Sequence, residues 1–506
     1  MQKRVVLSLT LATLLAASTL VAEESLDADL GGFDTEEVLS ESSSDLDGFG
    51  DNDSSDDLAG FGDSQETTTE EISQEIQKES MFSLSGNIKF KTSYGYRDHG
   101  VKANKTDTTA VDYSGFNQAQ TSTYIQIDGK LSDDWKVRIS GDAFYDGIYD
   151  INGAGQYNQE TLDAYQTQLR FDDVYLQGRL SRDVDLKVGR QIVVWGKSDS
   201  IRITDVINPL DNRLPGMTDI EDLRLSTTMA KLDYYIGSWN LSVMAIGESR
   251  VFIEAAPRSE FFPVDKIFRS APDPFIELEN PEISWDNMQY AFAANGVFSG
   301  WDLSFYGADV FDSKWHIEGN LPNAVRAVSK IQMLGSAINI VSGPWLLKSE
   351  IAYVNGIKYN STQDEKQRLD ALLGLEYMGV KDTVLSLEIA NKHIFNYESQ
   401  MSGLPAVSIP PVVPDYTEED EVQTAMRVTR SFENDSINAT LLLSMFGHNW
   451  EYGGFFRASV EYDVMDAVVA NFGVIDYLDA AQADKKPMMG AISDNDRVFA
   501  DITYSF

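Results

Sequence analysis

Apolar and polar residues alternate along the chain from Met81 onward, in segments of about 10 to 14 residues, which is the period of a β-strand with two different faces. One face of the last segment is apolar throughout, with Val498, Ala500, Ile502, Tyr504 and Phe506. The other face carries Arg497, Asp501, Thr503 and Ser505, with Phe499 as the one exception. Such strands suit a transmembrane β-barrel, whose wall has lipid on one side and water on the other.

The C-terminal residues carry a second, more specific signal. The chain ends on Phe506, with Tyr504 and Ile502 at the third and fifth positions from the end. This ending resembles the signal by which outer-membrane barrels are recognised for assembly. It predicts the barrel-assembly machinery and outer-membrane lipid as partners, and the cell outer membrane as the location.

Short turns and long connections alternate along the barrel segment, as expected of periplasmic turns and outside loops. The predicted short turns are 132–134, 181–183, 237–238, 299–300, 342–344, 380–382, 434–435 and 463–465. The predicted long connections are 98–118, 149–167, 196–224, 249–286, 311–327, 356–366, 395–421, 448–452 and 476–494. Eight turns and nine loops predict an all-β, antiparallel outer-membrane barrel of about 18 strands, with 16 also compatible, and with both chain ends in the periplasm.

The start of the chain predicts export. Residues 1–22 have a basic start, an apolar run and small residues, which is the layout of a signal peptide. Nowhere later does the chain offer the roughly 18 consecutive apolar residues of a membrane-spanning helix. We therefore divide the chain into a signal peptide (1–22), an acidic disordered periplasmic tail (23–80) and the barrel (81–506).

The acidic tail holds about half of the net charge of −40, because residues 23–80 have 20 Asp and Glu against one Lys. This balance makes nucleic acid an improbable partner. Three copies of one pattern recur in the tail, as the pairs Leu30 and Phe33, Leu46 and Phe49, and Leu58 and Phe61. Two interpretations stay open: the repeats dock on a partner and raise avidity, or the tail is a low-complexity spacer.

A soluble β-sandwich is the rival fold, since it shares the strand alternation. It would not need aromatic residues beside the turns, where Trp135, Trp239, Trp301 and Trp345 lie and where a membrane protein has its interfacial girdle. It also would not need the terminal Phe506, the signal peptide and the loop asymmetry together.

Candidate catalytic and metal-binding residues are scarce. The chain has no cysteine, and His99, His316, His393 and His448 are scattered without metal-ligand spacing. No local motif provides a nucleophile with its base. We expect no enzyme activity, no metal and no cofactor.

The densest unusual stretch lies at the end of one strand and in the long loop after it. It contains Arg190, Gln191, Trp195, Gly196, Asp205, Asn208 and Pro209. Across residues 168–216 the chain resembles a family of proteobacterial outer-membrane barrels labelled a domain of unknown function, marked by Gly-Arg-Gln, Trp-Gly and Asn-Pro. The resemblance implies envelope transport of lipid or other hydrophobic compounds, beside an inner-membrane exporter and a periplasmic lipid-binding protein.

Two interpretations of this loop stay open. Its charged residues brace it against the barrel wall, or it enters the lumen as a constriction with Trp195 and Arg190 lining the path. Strict alternation from Leu186 would direct Arg190 toward lipid, whereas a bulge near Gly189 would turn it inward.

The fourth long loop, 249–286, is unusually apolar, with Phe-Ile, Phe-Phe, Ile-Phe and Phe-Ile pairs. We expect these residues either to pack as a cap or plug over the mouth, or to form an entry surface for a hydrophobic substrate. The first functional hypothesis is therefore a transport component for lipid-like compounds, tethered through its tail to a periplasmic or inner-membrane partner. The alternatives are a diffusion porin with a cation-preferring lumen and a structural or adhesive surface barrel.

Overall fold

The computed structural model describes residues 81–98, 100–102, 110–256, 258–262, 278–319, 323, 325–402, 415–481, 489 and 492–506. The predicted signal peptide and the predicted acidic tail, with its Leu and Phe repeats, lie outside the described residues. The first strands are β1 (Phe82–Gly95), β2 (Gly100–Lys102), β3 (Ala110–Asp112), β4 (Gly115–Lys130), β5 (Trp135–Asp146), β6 (Thr167–Ser181), β7 (Val184–Gln191), β8 (Thr227–Ile236), β9 (Trp239–Ile246) and β10 (Gln289–Phe298). The others are β11 (Trp301–Glu318), β12 (Val325–Ser342), β13 (Trp345–Ile357), β14 (Lys366–Val380), β15 (Thr383–Phe395), β16 (Asp420–Phe432), β17 (Ile437–Phe446), β18 (Gly454–Met465), β19 (Val468–Leu478) and β20 (Arg497–Ser505).

Eighteen of these strands form one closed antiparallel barrel, while β2 and β3 form a separate hairpin in the first long loop. Closure is visible at β1, which pairs with β4 on one side and with β20 on the other. Phe90, for example, lies between Thr121 and Ile502. The predicted 18-stranded antiparallel barrel is confirmed, and closure leaves no edge strand.

Among the described residues, four short helical segments are bounded, and they lie in loops. They are α1 (Ile148–Asn152), α2 (Gln159–Tyr165) and two 3₁₀ turns, Ala154–Gln156 and Ser399–Ser402. No helix in the described part of the chain is long and apolar enough to span a membrane.

The two faces of the strands differ as the alternation predicts. On β20, the outward side chains of Ile502 and Tyr504 are 48% and 49% exposed, and the terminal Phe506 is 47% exposed. Arg497 and Phe499, on the inner face, are buried. Phe499 therefore departs from the polar inner pattern because it packs inside, where its ring lies against Gly473 of the neighbouring strand.

Eight short turns and nine longer loops connect the barrel strands, in the predicted alternation. Both described chain ends lie beside the short turns: Met81 accepts a hydrogen bond from the amide of Lys130, and Phe506 exchanges two backbone hydrogen bonds with Gly86.

Two predicted connections were displaced. Strands β11 and β12 continue through most of 311–327, because the residues between Phe311 and Trp315 bulge out of register and the ladder resumes beyond them. Likewise β18 runs through Met465, so this turn lies at residues 466–467 and not at 463–465.

The aromatic residues beside the short turns form contacts at the end of the barrel that carries those turns. Trp301 stacks on Phe298 with ring centroids 4.3 Å apart, and Trp345 contacts Tyr377 at 4.4 Å. Trp135 covers Gly178 so closely that a Cβ there would lie 2.2 Å from the indole. Aromatic rings at this position are typical of the membrane interface.

Candidate functional site: a loop across the lumen

The loop after β7, residues 192–226, is called L3 below. The strand that leads into it, β7, contains Gly189, whose φ of +133° and whose close approach to the backbone of β6 exclude a side chain. The register from Gly189 to Gln191 shows no bulge, so alternation continues and Gln191 points inward, fully buried. Arg190 lies on the opposite face, where it pairs with Glu248 at 2.6 Å. It braces the outer rim and does not line the lumen.

Asn208 joins the two ends of L3. Its Oδ1 accepts the amide of Val193 at 2.8 Å, and its Nδ2 donates to the carbonyl of Leu225 at 2.8 Å. Pro209 accepts the amide of Leu225 as well. Because Asn208 is fully buried, these bonds fix the loop where it enters and leaves the wall.

The first half of L3 packs inside the barrel through an apolar cluster. Trp195 is buried and stacks on Tyr306 of β11 with centroids 4.8 Å apart. Ile201, Ile203 and Ile207 belong to the same cluster, with inward residues of strands β8 to β15. The first half of L3 is thus part of an apolar cluster on the inner side of the barrel wall.

Two buried carboxylates of the wall hold the L3 backbone. Glu350 of β13 accepts the amides of Lys197 and Ser198, the latter at 2.7 Å, and the hydroxyl of Thr204 at 2.9 Å. Glu388 of β15 accepts the hydroxyl of Ser198 at 2.7 Å. Charged acceptors for backbone N–H groups make strong hydrogen bonds, so they fix L3 at mid-strand depth.

Gly196 permits this docking. Its φ is +90°, and a Cβ would lie 2.8 Å from both carboxylate oxygens of Glu350. Any side chain at this position would therefore push the loop away from the wall.

Beyond the apolar cluster, L3 meets basic and acidic groups. Lys197 pairs with Asp302 of β11 at 2.8 Å. Lys348 of β13 pairs with Asp199 at 2.6 Å and also with Glu376 of β14. The ammonium of Lys348 therefore lies between two carboxylates.

The second half of L3 reaches the opposite wall. Asp219 pairs with Arg427 of β16 at 2.8 Å and with Arg457 of β18. Tyr477 of β19 donates its hydroxyl to the carbonyl of Pro215 at 2.6 Å. L3 begins between β7 and β8, so contacts with β16 to β19 mean that it crosses the lumen.

These ion pairs shape the titration of the loop. Although burial opposes ionisation, the guanidiniums of Arg457 and Arg427 hold the pKa of Asp219 below its usual value. Burial, together with Asp222 and Asp219, raises the pKa of Glu221. The side chains of Glu221 and Asp222 form no hydrogen bond or ion pair with the described residues.

Asp205 forms a second centre of the same kind. It pairs with Arg224 at 2.9 Å and with Arg202 at 3.3 Å. Together with the Asp219 centre, this gives two places where two guanidiniums share one carboxylate.

A cavity of about 460 Å³ remains between L3 and the wall of β14 to β16. Its lining residues are Val194, Gly196, Lys197, Ser198, Asp199, Asp219, Ile220, Glu221, Arg224, Glu376, Val384, Ser386, Arg427 and Thr429. Half of them are charged. L3 is thus braced on the wall and also crosses the lumen, but neither Trp195, which is buried against Tyr306, nor Arg190 lines the cavity as the constriction interpretation expected.

The fourth long loop, residues 247–288, is called L4 below. It leaves the wall between β9 and β10, yet Glu260 pairs with Arg497 of β20 and Phe261 packs on Tyr477 with centroids 5.7 Å apart. Phe261 is buried and Ile253 pairs with L3 at Asp211. The described part of L4 thus contacts L3 and the wall at β19 and β20, with Phe261 buried there. Residues 263–277, with the other apolar pairs, lie outside the described residues, so the cap and entry-surface interpretations both stay predictions.

Sequence reasoning missed the wall residues that hold L3. These residues are spread over four strands and share no local motif; they are Glu350, Glu388, Lys348, Arg427 and Arg457. One signal was available: each is a charged residue on the face of a strand that points away from lipid. The assembly residues Ile502, Tyr504 and Phe506 lie together on the outward face, away from this site.

Comparisons place this architecture among known proteins. A family model described as "Protein of unknown function (DUF1302)" matches residues 5–506. No curated protein matches the chain. Similar solved structures include OccAB3 of Acinetobacter baumannii, with 12% identity and a TM-score of 0.46, covering 84% of this chain and 99% of that one. A BenF-like porin from Pseudomonas fluorescens Pf-5 has 11% identity and a TM-score of 0.48, covering 85% and 98%. At these levels of similarity, neither structure carries an argument about what this chain does.

Proposed function

The chain belongs to the DUF1302 family, whose description assigns no activity, and we propose from the site itself that it is an outer-membrane diffusion channel for small polar solutes. The observation that carries the proposal is L3, which crosses the lumen and leaves a cavity with charged lining.

The outward face supports a membrane location. Large apolar side chains are exposed around the barrel, for example Phe171, Leu334 and Leu373, each exposed by 60% or more. A soluble protein rarely exposes so continuous an apolar surface, whereas a membrane barrel requires it. The closed antiparallel barrel, together with the predicted signal peptide, supports the outer membrane as the location.

The size of the barrel supports a channel. Barrels of 16 to 18 strands leave an aqueous lumen unless loops fill it. Here L3 narrows the lumen at mid-depth, and its apolar cluster fills the side next to β8 to β15. The charged side facing β14 to β18 is where a polar solute would pass, because charged walls favour water over lipid.

We propose a preference for cations over anions of equal size. Most charges near the cavity are in ion pairs, but Glu221 and Asp222 form no hydrogen bond or ion pair with the described residues. Lys89 and Lys91 of β1 attract Asp222 at longer range, so the preference rests mainly on Glu221. Unpaired carboxylates at a constriction attract cations and repel anions.

The experiment is single-channel recording of the full-length protein in planar lipid bilayers. We expect stable conductance and a reversal potential that favours cations in a salt gradient. Glu221→Gln should move that potential toward zero, while Glu433→Gln, in a short turn, should leave it unchanged. The proposal would be overturned if the protein gave no conductance although its heat-dependent shift in gel mobility showed that it was folded.

The second candidate is transport of lipid-like or other hydrophobic compounds. Its supporting observation is an apolar strip in the same cavity, where Val194 is 61% exposed and lies with Ile220 and Val384. In this proposal the acidic tail tethers the barrel to an inner-membrane exporter or a periplasmic lipid-binding protein. The position of Met81 beside the short turns is consistent with a periplasmic tail.

Mass spectrometry of material that co-purifies with the native protein separates the two candidates. Enriched lipid, or an envelope protein that is lost when residues 23–80 are deleted, would support the second candidate. Replacing Phe33, Phe49 and Phe61 with Ala should then also abolish capture. If neither lipid nor a tail-dependent partner co-purifies, the second candidate fails and the diffusion channel is the remaining proposal.

A further inference from the structure

The cavity beside L3 has groups of both charge signs that are left over after the internal ion pairs are formed. We propose that it is a selectivity site for small zwitterionic solutes with an apolar side group, of the amino-carboxylate type. The inference rests on the proposed channel and names the solute class that passes its constriction best.

The positive side is formed by Arg427. Two guanidiniums, Arg427 and Arg457, share the single carboxylate of Asp219, so this centre carries one surplus positive charge. The side chain of Arg427 is still 28% exposed, and only its Nη2 is used on Asp219. Its remaining N–H groups are suitable donors for a solute carboxylate, which guanidinium binds in a planar, two-pronged geometry.

Arg224 strengthens this positive side. It lines the same cavity, and it shares Asp205 with Arg202 in a second centre with one surplus positive charge. Arg224 itself is nearly buried, so it attracts a solute carboxylate through its positive charge and makes little direct contact with it.

The negative side is formed by Asp199 and Glu221. Lys348 is shared by Asp199 and Glu376, so two carboxylates have one ammonium between them and one surplus negative charge remains. The side chain of Asp199 is 50% exposed. Glu221 forms no hydrogen bond or ion pair with the described residues, and Arg427 and Arg224 attract it only at longer range. Both carboxylates can therefore accept from a solute ammonium.

The apolar strip of the cavity completes the site. Val194 is an exposed apolar residue in a charged lumen, and Ile220 and Val384 line the cavity with it. Contact of these apolar side chains with water is unfavourable, whereas a hydrocarbon group of a solute would remove them from water. The volume of about 460 Å³ accommodates a molecule of a few heavy atoms with some water.

Solutes of a single charge meet an opposing group at this site. An anion is attracted by Arg427 and repelled by Asp199 and Glu221. A cation is attracted by the two carboxylates and repelled by Arg427. A zwitterion satisfies both sides at once. The site therefore favours zwitterions over a neutral molecule of the same shape, and this preference adds to the general preference for cations.

The experiment is swelling of phosphatidylcholine proteoliposomes that contain the full-length protein. Four solutes of similar shape are compared: valine (zwitterion), valinamide (cation), isovalerate (anion) and isovaleramide (neutral). We expect valine to enter about fivefold faster than isovaleramide, a ratio in the range of one weak ion pair. Equal rates for valine and isovaleramide would overturn the inference.

Two variants assign the charges. Glu221→Gln should slow valine and valinamide relative to isovalerate, and Arg427→Gln should slow valine and isovalerate relative to valinamide. Glu221 has no hydrogen bond or ion pair with the described residues to lose, so its variant tests the inference even where Arg427→Gln fails to fold. Unchanged ratios in folded Glu221→Gln would contradict the assignment. If no solute enters faster than into protein-free liposomes, the proposed channel itself fails, and this outcome differs from entry without preference.

Discussion

Asp219 of L3 and Arg457 of β18 form an ion pair although they are 238 positions apart in the chain. The pair lies across the lumen from the strands between which L3 begins. It makes L3 a bridge between two walls, held on one side by an apolar cluster and on the other by charges.

Glu350→Gln combined with Glu388→Gln should loosen the near side of L3. The neutral amides keep the shape but lose the charged acceptors of the loop amides, at a cost of about 1–3 kcal/mol for each. We expect larger and noisier single-channel conductance than in the parent protein. Glu433→Gln in a short turn is the matched control, and conductance equal to that of the parent would show that L3 does not limit the channel.

Asn208→Ala should destabilise the barrel. The change leaves the amide of Val193 and the carbonyl of Leu225 buried without their partner, and we expect the free energy of unfolding to fall by about 2 kcal/mol or more. Thermal unfolding followed by heat-modified gel mobility measures the loss. Asn449→Ala, in an exposed loop, serves as control, and equal midpoints for both variants would refute the role of Asn208.

The cation preference should depend on pH through Glu221. Because burial, Asp222 and Asp219 raise its pKa, Glu221 becomes protonated at a higher pH than the usual value of about 4.3. As the pH falls through this raised pKa, a negative charge is lost and the preference for cations should weaken. Reversal potentials measured from pH 8 down to pH 4 test this, and Glu221→Gln should show a smaller change than the parent. A parent potential that stays constant over this range would argue against Glu221.

Deleting Phe506 should reduce barrel assembly. The residue exchanges two backbone hydrogen bonds with Gly86 at the seam of the barrel, and its ring belongs to the predicted assembly signal. We expect less folded protein in the outer-membrane fraction, whereas Phe506→Tyr should assemble nearly as well as the parent. Normal yield of the deletion variant would leave the terminal aromatic without a role in assembly.

The barrel could be predicted from the sequence because its information is local. Alternation assigns each strand, and turn residues such as those at 237–238 and 299–300 end them, so 18 strands follow by counting. The bulge between Phe311 and Trp315 escaped because a few residues that leave the ladder read as the start of a loop.

The path of L3 could be predicted only in part. The motif around Trp195 and Asn208 indicated a braced loop, but the bracing partners Glu350 and Glu388 lie about 150 to 190 positions away. Long-range pairs of this kind depend on which strands become neighbours and how far the chain curves. The orientation of Arg190 likewise depended on the register at Gly189, which two neighbouring strands determine together.

The positions along the chain of the wall residues that hold L3 have a consequence for biogenesis. Asp302, Lys348, Glu350, Glu388, Arg427, Arg457 and Tyr477 all follow L3 in the chain. While strands enter the membrane, the loop has no place to dock until the C-terminal half has arrived. A barrel whose insertion stops before β18 would be unclosed and would also lack the constriction that L3 forms. A complete constriction is therefore found only in a barrel whose insertion has been completed.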